Sequence, residues 1–198
     1  MPAITFKYDV PLDQTMAFEP IYPVSLQLDI SAKKDIRDSP GSIFVWMFAD
    51  EELVGESYGI PVVSSDEPIE GLSDLSDVQR KSAIYCYSNT ILPASQGQGL
   101  GAILKAHWLG WAAAQGFSIV YGHARPGASQ HLNAKFGAVF IRDFPDWYGT
   151  GEEYKLYRLT LKGNLDRTGK ANRRPLRIAK SPISSLKRGS HASVGGPR

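Results

Sequence analysis

Seven residues, Gln96-Gly97-Gln98-Gly99-Leu100-Gly101-Ala102, place three glycines directly ahead of a run with helical period. Glycines let successive backbone N–H groups converge on an anion without side chains in the way. A helix that starts there adds its unpaired N–H groups and the positive end of its dipole. The chemistry this favours is the binding of a phosphate. Three kinds of phosphate ligand compete. A nucleoside triphosphate loop requires Gly-x-x-x-x-Gly-Lys-[Ser/Thr], and no Lys-Ser/Thr pair follows these glycines. A dinucleotide loop fits by spacing, with Gly97, Gly99 and Ala102 as G-x-G-x-x-A. Yet Pro93 to Gln96 separate it from its strand, and the next strand ends in Gly122, His123 and Arg125 instead of an acid for a ribose. The third spacing is Gln96-x-x-Gly99-x-Gly101.

These residues need a strand in front and a helix behind. "KSAIYCYSNTIL" reads as the strand. Leu100, Ile103, Leu104, His107, Trp108, Trp111 and Ala112 follow the 3,4 spacing of one buried helix face, which Gly116 ends. "FSIVYG" is a short buried strand and "ASQHLNAKFG" a second helix ending at Gly137. "AVFIRDF" and "EEYKLYRLTL" are two closing strands. Upstream, "SIFVWMFADEELVGESYGIPVV" reads as a hairpin turning at Asp50 to Glu52. Residues 13–37 suggest one or two short helices broken at Pro20 and Pro23, and residues 64–80 an acidic loop or short helical insert. The order predicts an α/β (α+β) domain with one internal βαβ unit.

With Gln96, Gly99 and Gly101 in this setting, the sequence resembles the GNAT superfamily of N-acetyltransferases, whose pyrophosphate loop is [Gln/Arg]-x-x-Gly-x-[Gly/Ala]. "TILPASQGQGLG" is similar to that family's strand ending in apolar-x-Pro, and the elements that follow come in the family's order. The resemblance covers Ser42 to Leu161 well and the first forty residues loosely. It implies a mixed, mostly antiparallel sheet flanked by helices, with acetyl-CoA held between two splayed strands. It implies a cofactor site of Ile91, Leu92 and the loop Gln96 to Ala102, with Ser129 and Asn133 from the second helix. It implies direct attack of an amine (a peptide N-terminus, a lysine or a small primary amine) on the thioester.

The chain departs from the family in two places. Positions 86–89 read Cys-Tyr-Ser-Asn, without the glutamate base many members carry on this strand. In "LNAKFG", Asn133 stands where many members have a tyrosine acid. Three residues are therefore candidates for proton chemistry. His123 follows the strand and has a suitable intrinsic pKa. Tyr148 forms an aromatic pair with Trp147, and Glu56 lies on a strand expected beside the acceptor. Each has a plainer reading: a hydrogen-bonded structural histidine, loop-packing rings and an outward-facing carboxylate. A catalytically degenerate CoA-binding module is the alternative from another class.

The 198-residue chain carries a net charge of +2. Residues 162–198 hold ten Lys/Arg and one acid, Asp166, so the tail is +9 and the first 161 residues are −7. The division predicts a folded domain over 1–161, which the resemblance makes the GNAT domain, and a disordered basic tail over 162–198. The tail is a candidate for weak nucleic-acid or ribosome contact as an adaptor arm, though no aromatics interleave its charges. No run is apolar enough to span a bilayer, no signal peptide is apparent, and no His/Cys spacing suggests a metal. A cytoplasmic protein without a membrane partner is expected. Cys86, the single cysteine, reads as a small buried apolar side chain.

Overall fold

A computed structural model of the protein describes residues 2–65 and 69–161. The basic stretch 162–198, with its proposed partners, lies outside the described residues.

The strands are β1 (Ile4–Lys7), β2 (Ile43–Ala49), β3 (Glu52–Pro61), β4 (Ala83–Ile91), β5 (Ile119–Ala124), β6 (Val139–Phe144) and β7 (Tyr154–Thr160). They form one sheet in the order β1-β2-β3-β4-β5-β7-β6. Every pairing is antiparallel except β4 with β5. That parallel pair needs a crossover, which α4 (Leu100–Ala114) supplies. The helices α1 (Leu12–Thr15), α2 (Ile30–Asp38), α3 (Asp77–Lys81) and α5 (Ala128–Lys135) complete the described body, with short 3-10 turns between. None of the described helices is long and apolar enough to cross a membrane.

Alternation along β2 builds two cores. Ile43, Val45 and Met47 pack with Leu104 and Trp108 of α4. Phe44, Trp46 and Phe48 pack with Val10, Leu12 and Tyr58 on the other face. Both faces of this strand are buried, so its sequence is a continuous apolar run. Leu104 and Trp108 are fully buried, and truncating either to Ala removes about 2–5 kcal/mol.

The hairpin turn is two residues, Asp50 and Glu51, both with positive φ (48° and 71°). Such a turn ordinarily takes Asn-Gly. Here Asp50 is held by β1's lead-in: its carboxylate accepts the Ala3 N–H at 2.8 Å and its N–H reaches the Ala3 carbonyl. β1 itself is an element the sequence pattern did not announce.

The buried face of α4 differs from the 3,4 stripe. Lys105 and Leu109 are buried, Ile103 is exposed, and His107 and Trp111 are half-buried. Lys105 is buried against polar partners on the sheet, Cys86 of β4 and Tyr157 of β7. His107 instead stacks on Phe6 of β1 at 3.7 Å and bonds the Tyr8 hydroxyl.

Candidate functional site

β4 and β5 pair only at Ala83↔Ile119, Ile84↔Val120 and Tyr85↔Tyr121. Beyond that point β4 stays with β3 and β5 stays with β7, so a wedge opens between them. The register of β3 against β4 slips here: Tyr58 faces Ser88 and Gly59 faces Cys86, which leaves Tyr87 as a bulge. A bulge sharpens local twist and re-aims the strand. Gly59 allows it, since a Cβ there would collide with the Tyr85 carbonyl oxygen.

Alternation decides which backbone groups face the wedge. The Leu92 N–H donates to the Val54 carbonyl and the Ser88 carbonyl accepts from Ser57 Oγ, both toward β3. Asn89 and Ile91 therefore turn their backbone groups toward the wedge. The Ile91 carbonyl is already capped by Gln96 Nε2 at 2.9 Å, so its N–H is the group left facing inward.

At the open end the chain makes a 3-10 turn, Pro93–Ser95, and enters the glycine loop. Gly97 and Gly99 both sit at φ +78°, and nothing lies within 4 Å of a Cβ built at either. Gly99 is the N-cap of α4, with no side chain capping the helix. In the first turn of α4 the Ala102 N–H already bonds the Gly99 carbonyl at 3.1 Å, which leaves the Leu100 and Gly101 N–H groups without intrahelical partners at this end. Gly101 is different: its Cβ would point inward to Ile91 and Leu132 at 3.7 and 3.8 Å.

Wedge and loop are parts of one cleft of about 1420 Å³. It is lined by Ile91, Gln96, Gly97, Gly99, Leu100, Gly101 and Ala102, and by Ser129 and Asn133 of α5. His123 and Tyr148 also line it. Leu92, Gln98 and Glu56 do not line it. Among the described residues, three buried side-chain polar atoms have no hydrogen-bond partner: Asn89 Oδ1, His123 Nε2 and Asn133 Oδ1. All three residues line this cleft. Folded proteins pair such atoms with protein groups, ordered water or a ligand.

His123 lies on β5, one residue beyond Gly122. Its ring stacks on Trp147 at 3.5 Å, and its Nδ1 lies 2.8 Å from the Tyr85 hydroxyl. Burial lowers its pKa to about 3, so the ring is neutral at physiological pH. Burial also raises Tyr85 well above the usual phenol range, so its O–H is the donor to Nδ1. Tyr148 is half-exposed, at φ +46°, and packs edge-on against Trp147. A left-handed backbone at a bulky residue is strained, and such strain collects at functional sites.

Glu56 is sealed on the other face of the sheet. It is fully buried, bonded at 2.9 Å by Lys33 Nζ and at 2.9 Å by Trp46 Nε1. Lys33 also bonds Glu19 at 2.9 Å. Burial raises the Glu56 pKa to about 7, against the pull of Lys33. Tyr22 separates this network from the cleft, its hydroxyl meeting Ser88 Oγ and Thr90 Oγ1 at 2.5 and 2.6 Å.

Asn89, Tyr85, Tyr87 and Lys105 are cleft residues that the sequence motifs did not single out. Their signal was only their place on the strand or helix flanking the loop. Among the described residues no group of three His, Cys, Asp or Glu gathers to hold a metal.

The sequence matches no protein-family model and no curated protein. Its structure does match solved ones. Arabidopsis thaliana NAA60 in complex with acetyl-CoA superposes with TM-score 0.63, at 14% identity over 81% of this chain and 100% of that one. The protein has the GNAT fold. The ribosomal-protein-S18-alanine N-acetyltransferase from Escherichia coli matches with TM-score 0.60, at 11% identity over 81% of this chain and 95% of the other. Ard1 from Thermoplasma volcanium matches with TM-score 0.62, at 13% identity over 81% and 99%. The mostly antiparallel sheet is the one the resemblance implied, and the single parallel β4–β5 pair is the βαβ unit expected from the order of elements; the seventh strand, β1, was not expected.

Proposed function

We propose that this chain is an N-acetyltransferase that moves the acetyl group of acetyl-CoA to an amine. The observation that carries the proposal is the wedge between β4 and β5, open beyond Tyr85↔Tyr121 and ending at the empty-sided glycines Gly97 and Gly99. A pyrophosphate placed on the N–H groups of Gln98 to Gly101 leads its thiol arm into the wedge. The arm's amides then meet the Asn89 backbone and the Ile91 N–H as an added strand would. The orphan Oδ1 atoms of Asn89 and Asn133 supply acceptors for its N–H groups. Acetyl-CoA bound to NAA60 supports the same donor here.

In this reading the acceptor meets the thioester beside the bulge at Tyr87. Tyr22, Tyr58, Tyr85, Tyr87 and Tyr148 line that side, a set of rings suited to an ammonium or its neutral amine. His123 is a weak base because its conjugate acid forms only near pH 3. Its role is to hold the Tyr85 phenol through Nδ1. Glu56 balances Lys33 and supports the sheet beneath the acceptor side. Glu152 and Glu153 at the cleft wall offer the amine proton a way to solvent. A cytoplasmic setting, where both donor and acceptors are found, is part of the same proposal.

The absence of a carboxylate on β4 and of a phenol at Asn133 favours a second reading, a CoA-binding module without turnover. Thiol release from acetyl-CoA across a panel of peptide N-termini, lysine peptides and small primary amines separates the two. The proposal expects acceptor-dependent release that Gly99→Glu abolishes. Tight acetyl-CoA binding with no release for any amine would favour the module.

A further inference from the structure

Lys105 is 1% exposed, and among the described residues no carboxylate lies within ion-pair distance of it. Lysine is rarely buried without an acid. Its Nζ lies 3.1 Å from the Tyr157 hydroxyl and 3.6 Å from Cys86 Sγ. The site is built around it. A Cβ at position 122 would come within 2.5 Å of the Tyr157 hydroxyl, so Gly122 is what admits the phenol. The Cys86 thiol donates onward to the Ser88 carbonyl at 3.3 Å, which leaves its sulfur free to accept from Lys105. An ammonium has three donors, and these partners take two.

The place of this cluster matters more than its composition. Cys86 is the first β4 residue beyond the last β4–β5 pair, and Gly122 is its counterpart on β5. Lys105 therefore sits at the crotch of the wedge, and Lys105, Cys86 and Tyr157 all line the cleft. An arm that enters from the glycine loop and follows β4 from Ile91 past Asn89 brings its thiol end there.

We infer that Lys105 is a catalytic residue whose remaining N–H receives the thiolate of departing CoA. It takes the role of the phenol that Asn133 replaces, and the inference rests on the acetyl-CoA reading above. The amine nitrogen bonds to the acetyl carbon, and the C–S bond breaks with its electron pair staying on sulfur. The ammonium of Lys105 offsets that charge. The proton lost by nitrogen reaches sulfur through solvent, giving the amide and CoA thiol.

The test is the acidity of the CoA thiol while bound, read by ultraviolet absorbance of the thiolate, with the desulfo-CoA complex as blank. The wild-type complex should titrate at least about one pH unit below free CoA, a tenfold gain in acidity. Lys105→Met should return the thiol to its free value while CoA still saturates the protein. A wild-type thiol that titrates like free CoA overturns the inference, and that arm decides even where the variant does not fold. A Met variant that titrates like wild type overturns it too. Failure of folded wild-type protein to bind CoA in calorimetry instead overturns the acetyl-CoA reading itself.

Discussion

Gln96 closes the glycine loop back onto the strand that feeds it, its Nε2 donating to the Ile91 carbonyl at 2.9 Å. The bond uses up the one acceptor of Ile91 that faces the wedge and fixes where the loop begins. Gln96→Ala should leave that carbonyl to solvent and loosen the loop. We expect acetyl-CoA affinity to fall about tenfold, the ~1.4 kcal/mol of one good hydrogen bond, with little change in melting temperature. Calorimetric titration of the variant checks it, and unchanged affinity would contradict the role.

The loop glycines are not equivalent. Gly99 is left-handed and Gly101 is not. Gly99→Ala should destabilise the fold by about 1–2 kcal/mol, the cost of an L-residue in that region. Gly101→Ala places its methyl in ordinary contact with Ile91 and Leu132 and should cost under ~1 kcal/mol. Urea unfolding of both variants measures the difference. Equal losses would mean that the loop conformation is otherwise.

Asn133 is 5% exposed, with Nδ2 bonded to the Ser129 carbonyl at 2.9 Å and Oδ1 unpaired. An unpaired buried acceptor is a cost to folding that a ligand removes. Asn133→Leu should therefore leave stability within about 1 kcal/mol of wild type, since one bond and one orphan disappear together. Acetyl-CoA binding should weaken about tenfold. Thermal melts with and without ligand report both quantities, and a variant that is destabilised yet binds normally would make Asn133 structural.

Much of this was legible along the chain. The loop at Gln96 to Gly101, the strands on either side of it and the helix ending before Gly116 carry local signals: glycine spacing, apolar period and a cap. What was not legible depends on partners far away in sequence. Glu56 was a candidate for proton chemistry, with an outward-facing carboxylate as its plainer reading, because its partner Lys33, which it shares with Glu19, lies on the N-terminal segment. Lys105 was not singled out at all, because Cys86 and Tyr157 meet it only across the folded wedge. Asn89 carried no motif at all, and its orphan oxygen exists only once α4 packs against β4. β1 is four residues long and is fixed by pairing with β2, not by its own pattern.

The buried ring of His123 makes stability depend on pH. Unfolded, it takes a proton near 6.5; folded, only near 3. Its contribution is fully present above 6.5 and is lost as pH falls toward 3. Glu56 acts in the opposite sense, since its folded pKa is raised from 4.5 to about 7 and its contribution grows as pH falls through that window. Comparing His123→Gln with wild type cancels the Glu56 effect and keeps an acceptor for Tyr85. Between pH 6.5 and 4 the variant should lose less stability than wild type, by on the order of 2–3 kcal/mol after discounting for the part of the ring that solvent reaches. Parallel denaturation curves across that range would contradict it.

The central claim is that the wedge and its glycine loop hold acetyl-CoA. The most direct measurement is the melting temperature of the full chain with saturating acetyl-CoA, NAD, NADP or ATP. At a hundred times its dissociation constant a ligand adds about 2.7 kcal/mol, which for a body of this size is a rise of roughly 5–10 °C. The account predicts that rise with acetyl-CoA alone, and its disappearance in Gly99→Glu. Stabilisation by NADP without stabilisation by acetyl-CoA would contradict it.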